Sequence, residues 1–175
     1  MNCLMPIAFA CCLMACKEIS FREPQPMGKR ALREVPKELR GRYLIDPYDE
    51  NANDTLVVTA QGYFVTNDST RSFLSDSLVL KKYSGYYFFN AFEKSVWLLR
   101  IVKRESNGNL TYMAMDSGEK TFHSFLMDLN KEIRIDSMEV EGSMVYQIDP
   151  SPKELLYLVK KGYFSKAILL RKFSN

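Results

Sequence analysis

The sequence predicts a mainly β (α+β) fold: an antiparallel meander closing into a barrel or half-barrel, with two short helices near the C-terminal third. Three observations carry this expectation. From Leu39 onward the chain breaks into short runs rich in β-branched and aromatic residues, separated by turn residues. Several of those turns are tight, which makes their flanking strands antiparallel. About nine or ten such strands are more than a strongly twisted open sheet holds comfortably beside two helices, and closure removes exposed edges. The 175 residues are 46% hydrophobic and 13% aromatic, which excludes disorder over most of the length.

The chain opens on residues 1–15, an uncharged and mostly apolar stretch. At about 1.5 Å per helical residue it is too short to cross a hydrocarbon core of about 30 Å, so it reads as a signal-peptide hydrophobic region. Residues 16–38 carry Pro24, Pro26, Gly28 and Pro36 among scattered charges. Proline pins φ and extends the residue before it, so two readings stand side by side. One is an irregular, semi-stiff tether. The other is an ordered arm packed along the body and anchored by Phe21 and Leu32. The folded body is then expected over 39–175.

Within the body, strands are expected near 41–45, 55–60, 62–67, 78–83, 86–92, 96–103, 110–116, 133–140 and 144–148. Ser84-Gly85, Asn107-Gly108-Asn109 and Glu141-Gly142-Ser143 supply the hairpin turns, where Gly and Asn tolerate positive φ. Along 96–103, Trp97, Leu99 and Ile101 fall on one face, while Arg100 interrupts the other; one face should be dry and the opposite one partly wet. The segment 120–131 spaces Phe122, Phe125, Leu126 and Leu129 as a helix does, with an edge strand as the competing reading. Ser151-Pro152-Lys153-Glu154 has the residues of a capping box with proline at the first helical position, and Gly162 supplies the stop. A closing strand is expected over 163–173. A body of this size buries roughly 68–70% of its unfolded surface, enough for a core without disulfides.

Charge and cysteine usage narrow the function classes. Lys and Arg total 24 against 21 Asp and Glu, and the net charge of +3 forms no polybasic run, which argues against nucleic acid as a partner. Lys81, Lys82, Arg100, Lys103 and Arg104 alternate too freely with acids to define an anion site. Of the 4 cysteines, Cys3, Cys11 and Cys12 lie in the leader, so cleavage before Cys16 leaves one thiol and no internal disulfide.

Catalytic signatures are missing: the chain has no GxGxxG, Walker loop, HExxH, GxSxG or CxxC. His123 is the single imidazole, beside Phe122 and Phe125, and reads as a helical surface residue. Asp46, Asp49, Glu50 and Asp54 surround an Asn-rich loop but lack EF-hand spacing, so no metal and no cofactor is assigned. The aromatic block around Tyr86, Tyr87, Phe89 and Trp97 offers ligand-lining candidates, because rings with polar handles suit clefts. Core packing is the competing use. No catalytic residue is assigned and the chain is not expected to be an enzyme. A carboxylate-based glycan hydrolase is the third-ranked reading; it needs two carboxylates facing each other across about 5–9 Å.

Leu13-Met14-Ala15-Cys16, followed by Lys17-Glu18, resembles the bacterial lipoprotein signal. The resemblance implies that Cys16 becomes the acylated N-terminus, and Lys17 in place of Asp implies sorting to the outer membrane of a bacterial envelope. Phe21-Arg22-Glu23-Pro24-Gln25-Pro26-Met27-Gly28, Pro36, Leu39-Arg40-Gly41-Arg42-Tyr43, Tyr86-Tyr87-Phe88-Phe89-Asn90, Trp97 and Asp149-Pro150-Ser151 together resemble small Bacteroidota-type lipoproteins. More loosely, Gly41-Arg42-Tyr43 opening a meander, with a helix before the last strand, looks like a lipocalin plan. Asp54-Thr55-Leu56, Asp68-Ser69-Thr70, Asp76-Ser77-Leu78 and Asp136-Ser137-Met138 are similar to the Bacteroidota O-glycosylation motif, making Thr55, Ser69, Ser77 and Ser137 acceptor candidates. The expectation is a membrane-anchored, non-enzymatic binding or envelope-interaction module, its partner an envelope protein. The alternative is a lipocalin-like carrier of a small hydrophobic ligand.

Overall fold

The computed structural model describes residues 18–45, 54–66, 71–115 and 121–173. Twelve strands are present among them: β1 (Ile19–Phe21), β2 (Gly41–Leu44), β3 (Thr55–Val58), β4 (Gly62–Val65), β5 (Arg71–Phe73), β6 (Leu78–Tyr83), β7 (Tyr86–Glu93), β8 (Val96–Arg104), β9 (Leu110–Ala114), β10 (Asp136–Val140), β11 (Ser143–Ile148) and β12 (Lys166–Lys172). Two α-helices, α1 (Phe122–Glu132) and α2 (Pro152–Lys160), and a short 3₁₀ turn at Lys37–Leu39 complete the described elements.

The longest pairing joins β7 to β8, from Tyr86↔Lys103 to Glu93↔Val96. Its turn places Lys94 and Ser95 at φ 45° and 65° without a glycine. On its other edge β8 is shared. Arg100–Arg104 pair with β9, while Trp97 pairs with Phe21 of β1. The sheet forks there. One branch runs β1–β11–β10 and the other β9–β12–β2–β3–β4–β5. Every pairing among the described strands is antiparallel except β1 with β11, so the sheet is mixed and not a plain meander.

The sheet does not close into a barrel. Closure requires β5 to pair with β6, and that seam carries a single bridge, Ser75↔Leu78. The reason is steric and local: β5 is three residues long, and the free edge of β6 is taken by the N-terminal arm. Ala31 bridges Lys81, the Leu32 amide donates to the Leu80 carbonyl (2.8 Å), and the Val35 amide donates to the Ala60 carbonyl (2.8 Å). The arm thus spans the gap from β6 to the β3–β4 turn.

That finding moves the domain boundary expected at residue 39. Glu18 to Leu39 belongs to the folded body as the ordered arm, with Ile19, Phe21, Val35 and Leu39 all buried. A three-residue strand flanked by charges and prolines gives little period to read, which is why the tether reading competes with it at the sequence level.

Two cores sit on the two faces of β7–β8. On one, Phe88, Leu99 and Ile101 meet β1, α1 and α2 through Phe21, Phe122, Leu129, Leu155 and Leu158. On the other, Tyr87, Phe89 and Val102 meet Tyr43, Leu56, Val65, Leu80, Leu110 and Leu170. The second core draws on β2, β3, β4, β6, β7, β8, β9 and β12, so the sheet curls around it. Both faces are dry at the centre; the face expected to be partly wet is covered by the curl. Phe122, Phe125, Leu126 and Leu129 all join the helix-side core, and the described part of the segment expected over 120–131 is a helix from Phe122. α2 carries its full capping box: the Glu154 amide donates to Ser151 Oγ (3.4 Å) and the Ser151 amide to Glu154 Oε2 (2.8 Å).

Candidate functional site

Alternation along β7 decides what the aromatic block can do. Successive side chains point to opposite faces of a strand. Tyr86 therefore packs with the helix-side core, as does Trp97 of β8, while Tyr87 and Phe89 enter the curl. Tyr86 and Phe88 lie 6.4 Å apart, Phe92 and Trp97 5.0 Å, and Phe89 meets Tyr63 edge-on at 5.9 Å. The four ligand-lining candidates do not converge on one cavity. They are divided between two packed cores.

Tyr87 has a further partner at the rim of the curl. Its hydroxyl donates to Glu38 Oε1 (2.6 Å), and Lys82 Nζ donates to the same oxygen (3.3 Å). The Tyr87 bond, with a backbone hydrogen bond and the Lys82 charge, lowers the Glu38 pKa to about 2 against the burial that opposes it. Burial and Glu38 together push the Tyr87 phenol up.

Inside the curl lies a polar cluster that the sequence did not announce. Arg100, facing the same way as Val102, makes a bidentate pair with Glu18, through Nη1 to Oε1 and Nη2 to Oε2 (3.0 Å). Burial alone depresses the Arg100 pKa, but the charge of Glu18, with Tyr112 and Glu93, more than offsets it and the net shift is upward. Burial raises Glu93, with Arg100 pulling the other way. Burial also pushes the Tyr63 phenol up, opposed by its hydrogen bond to Ser72. The guanidinium is held by this carboxylate and by the Leu99 carbonyl, to which Nη1 donates (3.0 Å), so the cluster is centred on an internal ion pair. The only sequence signal was Arg100 breaking an apolar face; its partner lies 82 positions away.

A second buried constellation ties the arm to the sheet. The Gln25 amide donates to Asn90 Oδ1 (2.6 Å), and Asn90 Nδ2 donates to the carbonyls of Gln25 (2.9 Å), Val79 (3.1 Å) and Phe88 (3.1 Å). Lys81 Nζ donates to the carbonyls of Pro24 (2.6 Å) and Pro26 (3.1 Å), across a cis Gln25-Pro26 peptide. Burial lowers the Lys81 pKa, with Glu23 opposing. Two stretches that the sequence singled out separately, 21–28 and 86–90, are thus one interlocked unit.

Between α1 and the end of α2 runs an open groove of about 370 Å³, lined by Phe125, Asp128, Glu132, Lys161, Tyr163 and neighbours. Its polar groups are bound to one another. Tyr157 donates to Glu132 (2.9 Å), Lys161 donates to the same carboxylate (3.2 Å), and Tyr163 donates to the Asp128 carbonyl (3.2 Å). His123 is exposed on the first turn of α1. Among the described residues no three His, Cys, Asp or Glu side chains gather as a metal site.

Of the glycosylation candidates, Ser77 and Ser137 are exposed, while Thr55 is 6% exposed and paired within β3. Ser69, the lipidation candidate Cys16, and Asp46, Asp49 and Glu50 of the acidic loop lie outside the described residues. No helix among the described residues is long and apolar enough to cross a membrane, a statement that leaves β-barrels aside. No protein-family model, curated protein or solved structure matches the chain.

Proposed function

We propose that the chain is a lipoprotein of a bacterial outer membrane, acylated at Cys16, whose body is a non-enzymatic envelope-interaction module. The observation that carries the reading is the run Leu13-Met14-Ala15-Cys16, followed at once by Lys17-Glu18, which closes the uncharged, mostly apolar stretch 1–15 as a lipoprotein signal does. Lipid on that sulfur adds about 0.8 kcal/mol of membrane affinity per buried methylene, and several acyl chains hold the body without a spanning helix. The curled strands β6–β7–β8–β9–β12–β2–β3–β4–β5, sharing one core and bridged at their seam by the arm, support describing that body as a half-barrel.

The division of Tyr86, Tyr87, Phe89 and Trp97 between two packed cores favours an interaction module over carriage of a hydrophobic ligand. Among the described residues, Ser77 and Ser137, exposed in Asp-Ser contexts, are the acceptor candidates open to solvent. The test is the intact mass and detergent partitioning of the full-length protein made in an envelope-bearing bacterial host. The expected product lacks residues 1–15, gains acyl mass on Cys16 and enters the detergent phase; Cys16→Ser abolishes both gains. A product that keeps its leader and stays in water overturns the reading.

A further inference from the structure

Six cations far apart in sequence meet at one end of the curled sheet. Lys82 lies at the end of β6, and Lys103 and Arg104 at the end of β8. Arg42 is the second residue of β2, Lys172 ends β12, and Lys29 of the arm sits over the Tyr83 ring at 4.6 Å. Contacts make them one rim. Glu38 binds Lys82, and its carbonyl accepts from Arg104 Nε (3.2 Å). Arg42 lies over the exposed Phe173 ring (5.8 Å) and Lys172 over Tyr43 (6.0 Å). The acids along the rim are already paired, Glu38 with Lys82 (3.3 Å), Glu105 with Lys103 (3.4 Å) and Glu34 with Arg40 (3.0 Å). Five of the six cations are exposed and Lys172 is half-buried.

β1 opens toward this same end. β1 runs antiparallel to β8, with Phe21 beside Trp97 and Glu18 bound to Arg100. Read from Phe21 back to Glu18, β1 therefore runs toward Lys103, and Cys16 is two residues further on in the sequence. We propose that the basic rim seats on an anionic lipid surface, so that acyl chains and rim hold the body on the membrane at two points. The inference rests on the acylation of Cys16 for what brings the surface close. The rim supplies the charge that a polybasic patch supplies beside a lipid anchor.

The test labels lysine amines of the full-length protein with an acetylating reagent and reads the rate at each site by mass spectrometry. Protein is reconstituted in phosphatidylcholine vesicles and in vesicles with about one phosphatidylglycerol in three lipids. At low salt, labelling of Lys82 and Lys103 is expected to slow by about threefold or more on the anionic vesicles, recovering at about 0.5 M salt. Lys94, in the β7–β8 turn, and Lys153, at the start of α2, lie at the other end and keep their rates. Equal rates at the rim on both vesicles overturn the proposal. An acyl-free Cys16 overturns the anchor alone, because the same rate ratio, read on protein added to preformed vesicles, still decides the rim.

Discussion

Asn90 shows how much one side chain does in this fold. It is 0% exposed and satisfies both the amide and the carbonyl of Gln25, itself 0% exposed. Asn90→Ala leaves buried backbone groups unpaired, so unfolding in urea is expected to show a loss of about 3 kcal/mol. A midpoint equal to the parent's would refute that role. Glu38 gives a pH signature. Its folded pKa of about 2 lies below the ordinary 4.5, so the stability it contributes is full above the ordinary value and is lost as pH falls through about 2. In Tyr87→Phe the largest cause of that shift is gone, and the fall in urea midpoint between pH 6 and pH 2.5 should shrink; an unchanged fall counts against the link. At this scale the sequence was partly legible. Trp97, Leu99 and Ile101 share a face as their spacing required. Tyr86 and Tyr87, as neighbours in a strand, could never have lined one cavity, and the period of two already said so. The Arg100–Glu18 pair was not legible, since nothing local names a partner 82 positions away.

Elements were read well where their signals are local. α2 announced itself through Ser151, Pro152 and Glu154, and its capping box is present in full. The Ser84-Gly85 and Glu141-Gly142 turns have all four residues at positive φ, as tight hairpin turns require. β5 escaped because three residues carry no period, and what fixes it lies in β4. A Cβ on Gly62, at φ +159°, would sit 1.9 Å from the Ser72 carbonyl oxygen, so only glycine lets β5 approach. Gly62→Ala is expected to cost at least about 2 kcal/mol and to raise amide exchange across Arg71–Phe73. Normal protection there would show that the strand tolerates the added carbon.

For the whole molecule, the decisive feature is the arm. It contributes β1 to the middle of the sheet and bridges the seam where a barrel would close. Phe21, 1% exposed in the helix-side core, is the point to probe: Phe21→Ala should cost about 3–5 kcal/mol, read as a shift in chemical unfolding. A surface-like loss under about 0.5 kcal/mol would return the arm to the status of a spacer. A predominantly β chain with two helices was legible from turn spacing and periodicity; the fork at β8 was not, because it depends on which of two strands wins one edge. That fork also sets a timetable. Ser20 bonds to Tyr146, 126 positions later, so the slot for Ile19–Phe21 does not exist until nearly the entire polypeptide has been synthesised. Until then those three residues have no berth, and threading them home is among the last acts of folding.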